Sequence, residues 1–88
     1  MIEEKIKIIN DAGLHTRPAA TIVKLAAKFE SDFFIIKDGV SINGKSIIGV
    51  MTLAAEKGSE VTLSFEGEDE AEAAKVIIDY FKRGFDEM

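Results

Sequence analysis

Gly13-Leu14-His15-Thr16-Arg17-Pro18-Ala19-Ala20 is where this chain changes period. Upstream, Ile2, Ile6 and Ile8 fall on one face of an extended segment while Lys5 and Lys7 point the other way, the spacing of a strand. Asn10-Asp11-Ala12-Gly13 is turn chemistry and ends it. Downstream, Ala19, Ile22, Val23, Ala26 and Phe29 recur at helical spacing, with Thr21, Lys24 and Lys28 off the apolar stripe. A helix is therefore expected from Thr16 to about Phe29. Pro18, the only proline, fits the first turn of that helix, where a missing N–H has no partner to lose. His15, the only histidine, and Arg17 then sit at the N-terminal end, where open N–H groups carry roughly half an elementary charge. An imidazole, a guanidinium and a helix start together suit a phosphoryl group.

The remaining elements follow from the same two periods. Phe33-Phe34-Ile35-Ile36 is a short apolar run, expected to be a well-buried strand. Asp38-Gly39 is a two-residue hairpin turn, because both positions need positive φ. Val40 and Ile42 alternate with Ser41 and Asn43 in a return strand with one buried face, closed by Asn43-Gly44. Ile47, Val50, Met51 and Ala54 carry a second helical stripe from Ile47 to about Ala55, stopped at Lys57-Gly58. Val61, Leu63 and Phe65 alternate in a fourth strand that Gly67 breaks. Asp69 and Glu72 have the spacing of a capping box for a last helix, whose buried face is Ala73, Val76, Ile77, Tyr80 and Phe81. Lys82-Arg83 suit its negative end, Gly84 is its expected C-cap, and Phe85 is placed to fold back. The order is β-α-β-β-α-β-α in one domain, residues 1–88. That pattern implies an α+β fold with helices on one side of a four-stranded antiparallel sheet, in no readable strand order.

Composition narrows the function classes. A chain of 88 residues supports one core. Its net charge of −5, with lysines scattered rather than blocked, argues against direct nucleic-acid binding. The acidic run Glu66 to Glu72 reads as a solvated loop and helix start. No segment approaches the roughly 18 unbroken apolar residues of a membrane span, and the first residues show no signal-peptide pattern. There is no cysteine, which fits a reducing compartment. A cytoplasmic protein without membrane insertion is the expectation.

Gly39-Val40-Ser41-Ile42-Asn43-Gly44-Lys45-Ser46 satisfies the nucleotide-binding pattern G-x-x-x-x-G-K-[ST]. The assignment is rejected because Val40 and Ile42 alternate as a strand, whereas a phosphate cradle is an irregular loop of converging N–H groups. Val76 to Asp79 lies in a helical period rather than at a strand end, so it does not supply the second, Mg²⁺-holding motif.

At His15 a surface turn histidine or a plain helix cap competes with a functional role. Arg17 and the helix end favour function, because both support the neutral, nucleophilic imidazole. Asp11 is the only carboxylate that the sequence places nearby. No Ser/His/Asp set is evident, and one histidine without cysteine makes no transition-metal site. The expected protein is thus a group carrier without metal or cofactor. Ser46 reads as the N-cap of the second helix, and a phosphoserine at that position is electrostatically welcome too. Ile47, Ile48 and Met51 do not all fit inward on one short helix, so Ile48 with Met51 is expected to form an adaptable exposed patch.

Gly13-Leu14-His15-Thr16-Arg17-Pro18-Ala19-Ala20 resembles the active-site signature of HPr, the histidine-containing phosphocarrier family of the bacterial phosphoenolpyruvate-dependent sugar phosphotransferase system. Lys45-Ser46-Ile47-Ile48-Gly49-Val50-Met51 resembles that family's regulatory-serine signature, and the resemblance runs the full chain. It implies an open-faced β-sandwich. It further implies that His15 accepts a phosphoryl group on Nδ1 from phosphorylated enzyme I and passes it to IIA domains of sugar permeases. Arg17 would steady the phosphate, with Thr16 and Arg17 at the phosphate-contacting helix start. Ser46 would be the target of an HPr kinase/phosphorylase, its phosphorylated form serving a catabolite-repression regulator. Thr16, Arg17, Ile47, Ile48 and Met51 would dock partners, and the protein would be a monomer. Ile48 stands where the regulated type commonly has methionine, and His15 argues against a homologous regulator that lacks it. A pure interaction module, with His15 inert, is the competing reading.

Overall fold

Phe33 and Phe65, both buried in the core, stack with ring centroids 4.8 Å apart and planes within 7°. The computed structural model describes residues 1–87. Its strands are β1 (Ile2–Lys7), β2 (Asp32–Lys37), β3 (Val40–Asn43) and β4 (Glu60–Glu66); its helices are α1 (Thr16–Ala26), α2 (Ile47–Thr52) and α3 (Glu70–Lys82). A 3-10 turn, Gly84–Asp86, follows α3. The strands form one antiparallel sheet in the order β1-β4-β2-β3. β4 thus lies between β1 and β2, which α1 connects.

Alternation decides which face is covered. Ile6, Phe33, Ile35, Val61, Leu63 and Phe65 are buried against Ala19, Ile22 and Ala26 of α1, Val50 of α2, and Ala73, Ile77 and Phe81 of α3. The other sheet face is open. Phe34 and Ile36 lie there, opposite Ser64 and Thr62 of β4 and Asn43 and Ser41 of β3, and Phe34 is 38% exposed. The Phe33–Ile36 run is therefore buried on one face only, because a two-layer fold leaves nothing to cover the other. Val40 is exposed as well, so the return strand buries only part of its expected face.

Several boundaries shift for local reasons. α1 ends at Ala26, where Lys28 and Phe29 donate to Leu25 and Ala26 three residues back and tighten the chain out of the helix. α2 ends at Thr52, and Ala54 then takes φ +53°, so Lys57-Gly58 turns into β4 instead of stopping a helix. Of the expected α2 stripe only Val50 is buried. The capping box does not form. Asp69 occupies the N-cap of α3 but makes no cap, its oxygens accepting from Glu30 N (2.8 Å), Ser31 N (2.9 Å) and the Ser31 hydroxyl. Those donors enter β2 with no ladder partner, and the carboxylate satisfies them from outside the sheet.

Other turns are as their residues demand. Asp38 and Gly39 take φ +50° and +81°, joining β2 to β3. The stretch with the nucleotide-binding spacing is strand β3, paired with β2 from Phe34–Asn43 to Lys37–Val40, and offers no loop cradle.

Candidate functional site

Leu14 fixes where His15 goes. Its side chain is buried and its N–H donates to the Ala55 carbonyl (2.8 Å). Gly13 makes this approach possible at φ +69°, since a Cβ there would sit 2.7 Å from the same oxygen. With Leu14 inward, His15 takes the N-cap position of α1 in extended backbone and caps nothing with its side chain, which is 40% exposed. The N–H groups of Thr16 and Arg17 meet no backbone carbonyl among the described residues. Two donors at the positive end of an 11-residue helix thus remain open beside the imidazole.

The imidazole has a partner that the sequence did not reveal. His15 Nε2 lies 2.7 Å from Glu87 Oε2. The other carboxylate oxygen, Oε1, accepts from Asn10 Nδ2 (2.8 Å), which also donates to the Gly13 carbonyl (2.9 Å). Asn10 is 1% exposed, and with its nitrogen committed to two acceptors its Oδ1 is buried without a partner among the described residues. Such an orphan acceptor costs about 1–3 kcal/mol.

The chain reaches this point through an unusual turn. Gly84, Phe85 and Asp86 take φ +63°, +58° and +60°, a left-handed run that only the glycine adopts freely. Phe85 does fold back, edge-on to Phe81 (5.0 Å) and tilted on Tyr80 (5.3 Å). Arg83 holds Asp86 at 2.7 Å and also binds Asp79. Asp11, the carboxylate expected near His15, lines a surface depression together with it and pairs with Lys57 at 2.6 Å.

That depression is open, about 460 Å³, and lined by Asp11, Ala12, His15, Arg17, Asp86 and Glu87. Three carboxylates would repel a phosphoryl group, but each is already held: Asp11 by Lys57, Asp86 by Arg83, Glu87 by Asn10 and His15. Partial burial pushes the Glu87 carboxyl up. Hydrogen bonds from Asn10 and His15, with the charges of His15 and Arg17, outweigh it and hold the group below its ordinary value. The Arg17 guanidinium forms no ion pair or hydrogen bond among the described residues, and is the one lining cation free to meet an anion.

This geometry has relatives. A family model described as "PTS HPr component phosphorylation site" matches residues 2–83. The chain belongs to the HPr family. It is 42% identical over 87 residues to the phosphocarrier protein HPr of Treponema pallidum, covering 99% of each chain. The structure of HPr from Thermoanaerobacter tengcongensis superposes with a TM-score of 0.95 at 45% identity, covering 100% of this chain and 99% of that one. Crh, the catabolite-repression HPr of Bacillus subtilis, superposes at 0.77 with 44% identity over 96% of this chain and 97% of its own; that protein is described as a swapped dimer. As a member of the HPr family the protein is a phosphocarrier of the phosphotransferase system, with no turnover of its own. The family match stops at residue 83, four short of Glu87.

The second HPr-like stretch lies elsewhere. Ser46 is the N-cap of α2, its Oγ accepting from Gly49 N (3.2 Å). Ile47, Ile48 and Met51 are 40%, 72% and 43% exposed, so all three form the surface patch. α1 and α2 lie side by side in opposite senses: Leu14 bonds Ala55 beyond the end of α2, while Lys45 Nζ reaches the Phe29 carbonyl beyond the end of α1 (2.8 Å). His15 and Ser46 share the helical layer but stand at opposite ends of α1.

Proposed function

We propose that His15 accepts the phosphoryl group in the cytoplasm from phosphorylated enzyme I and hands it to IIA domains of sugar permeases. The observation that carries this reading is the exposed imidazole at the start of α1, with two N–H groups and the Arg17 guanidinium beside it that have no partner among the described residues. The Nδ1 lone pair forms the N–P bond as the donor's N–P bond breaks, and the departing ring keeps that electron pair. Arg17 and the N–H groups of Thr16 and Arg17 neutralise the transferring oxygens, the electrostatic work that phosphoryl transfer mostly requires. Transfer to the acceptor runs the same steps outward. Thr16, Arg17, Ile47, Ile48 and Met51 form the docking surface for both partners.

Ser46 is the target of an HPr kinase/phosphorylase, and its phosphorylated form serves a catabolite-repression regulator. α1 spans about 16 Å at 1.5 Å per residue, twice a physiological Debye length of about 8 Å. A phosphate on Ser46 therefore acts on partners arriving at the patch rather than on the His15 ring. Supporting this, Ser46 adjoins Ile47 and Ile48 directly. The working form is a monomer.

Incubation with phosphoenolpyruvate and enzyme I tests the acceptor: acid-labile phosphate on wild type and none on His15→Ala is the expected result. Equal labelling of both would sink it and leave the interaction-module reading. With ATP and the kinase, acid-stable phosphate should appear and be lost in Ser46→Ala.

A further inference from the structure

We propose that Glu87, held by buried Asn10, is a positioning residue that keeps the proton on Nε2 of His15 throughout the phosphoryl cycle and so presents Nδ1 as the attacking atom. The proposal rests on the reading of His15 as the acceptor. A carboxylate offers only acceptors, so the 2.7 Å contact places a hydrogen on Nε2. In the neutral ring the lone pair is then on Nδ1. Attack by Nδ1 on phosphorus forms the N–P bond, breaks the donor's N–P bond, and leaves the ring positively charged with Nε2–H intact. Release to the acceptor returns the electron pair to Nδ1 and the ring to neutrality. No proton leaves or enters His15 in either direction. Glu87 faces the nitrogen opposite the one that reacts, where the ring's positive charge appears on phosphorylation.

Two further observations converge on this contact. The left-handed run at Gly84, Phe85 and Asp86 is a strained path for two non-glycine residues, and it ends by setting Glu87 on His15. Asn10 leaves its buried oxygen without a partner among the described residues while its nitrogen grips Glu87 and the Gly13 carbonyl. Among the charged groups of the described residues around the ring, Arg17 stands on α1, Asp11 is paired with Lys57, and Asp86 with Arg83; of these only Glu87 touches it.

Glu87→Gln is the discriminating variant, because its single acceptor oxygen faces two donors, Asn10 Nδ2 and His15 Nε2–H. ¹⁵N NMR of the histidine ring should show wild type with the hydrogen on Nε2 and Glu87→Gln with a mixture of tautomers. In the same variant kcat/KM for phosphoryl uptake from phosphorylated enzyme I should fall about fivefold, the scale of a strong exposed ion pair. Hydrolysis of the phosphorylated form should lose its low-pH rate about 0.7 of a pH unit earlier as pH rises. Asn10→Ala should shift all three in the same direction by less. Wild-type tautomer, uptake rate and hydrolysis profile in Glu87→Gln, with His15 labelled normally in both proteins, would overturn the proposal alone. Absence of label on His15 in wild type would overturn the acceptor reading and this proposal with it.

Discussion

Asp69 spends both carboxylate oxygens on Glu30 and Ser31, and those bonds, the Ser31 hydroxyl's first, hold its carboxyl below the ordinary value of 3.8. A group depressed in the folded state contributes fully above its unfolded value and loses the contribution as pH falls through the folded one. Stability should therefore be level above about pH 5 and decline below it, and Asp69→Asn should flatten that decline in urea melts taken from pH 7 to 2. Arg17 makes a different prediction. A guanidinium forks onto two phosphoryl oxygens where an ammonium meets one, so Arg17→Lys should lower kcat/KM for phosphoryl uptake about tenfold while leaving the melting temperature alone. His15, Arg17 and their place at a helix start were legible because Pro18 and the change of period mark that start. Glu87 was not: nothing in its spacing encodes a return through Phe85 and Asp86 in left-handed backbone. Only Gly84 and the expectation that Phe85 folds back pointed toward it.

α2 and the β2–β3 hairpin show what element-scale reading captures. Ser46 caps α2 as its residue type requires, and Ser46→Ala should cost about 1 kcal/mol in chemical denaturation. Ser46→Asp keeps a cap and adds charge, so it should melt like wild type yet accept phosphate from enzyme I more slowly. That combination separates the structural role of Ser46 from the regulatory role proposed for it. Gly44 reads as a turn residue in sequence, but its Cα lies against the Phe33 ring, which a Cβ would strike. Gly44→Ala should destabilise by about 1–3 kcal/mol, read in the same denaturation series. Turn chemistry at Asp38-Gly39 was legible because positive φ restricts residue choice. The one-sided burial of Phe33–Ile36 is not legible in sequence, because an unbroken apolar run looks alike in a covered sheet and an open one. The Asp69–Glu72 spacing does not specify a capping box for a related reason: a carboxylate at a helix start also serves any unpaired N–H within reach.

At the scale of the molecule, period and turn signals specified four strands and three helices, and their one-sided apolar faces specified two layers. The β1-β4-β2-β3 order lay outside that information, since alternation records which face is buried and not which strand is the neighbour. All elements share the core around Phe33 and Phe65, so Phe33→Ala should cost about 3–5 kcal/mol and lower the stability of every element together. With a net charge of −5, light scattering after size exclusion should give the monomer mass, and a dimer like that of Crh would contradict it. The most direct test of the whole account joins the site to its chemistry. After uptake from phosphoenolpyruvate and enzyme I, protein carrying ¹⁵N-histidine should show a ³¹P–¹⁵N coupling at His15 Nδ1 with Nε2 still bearing its hydrogen. Phosphate coupled to Nε2, or found on any other residue, would contradict it.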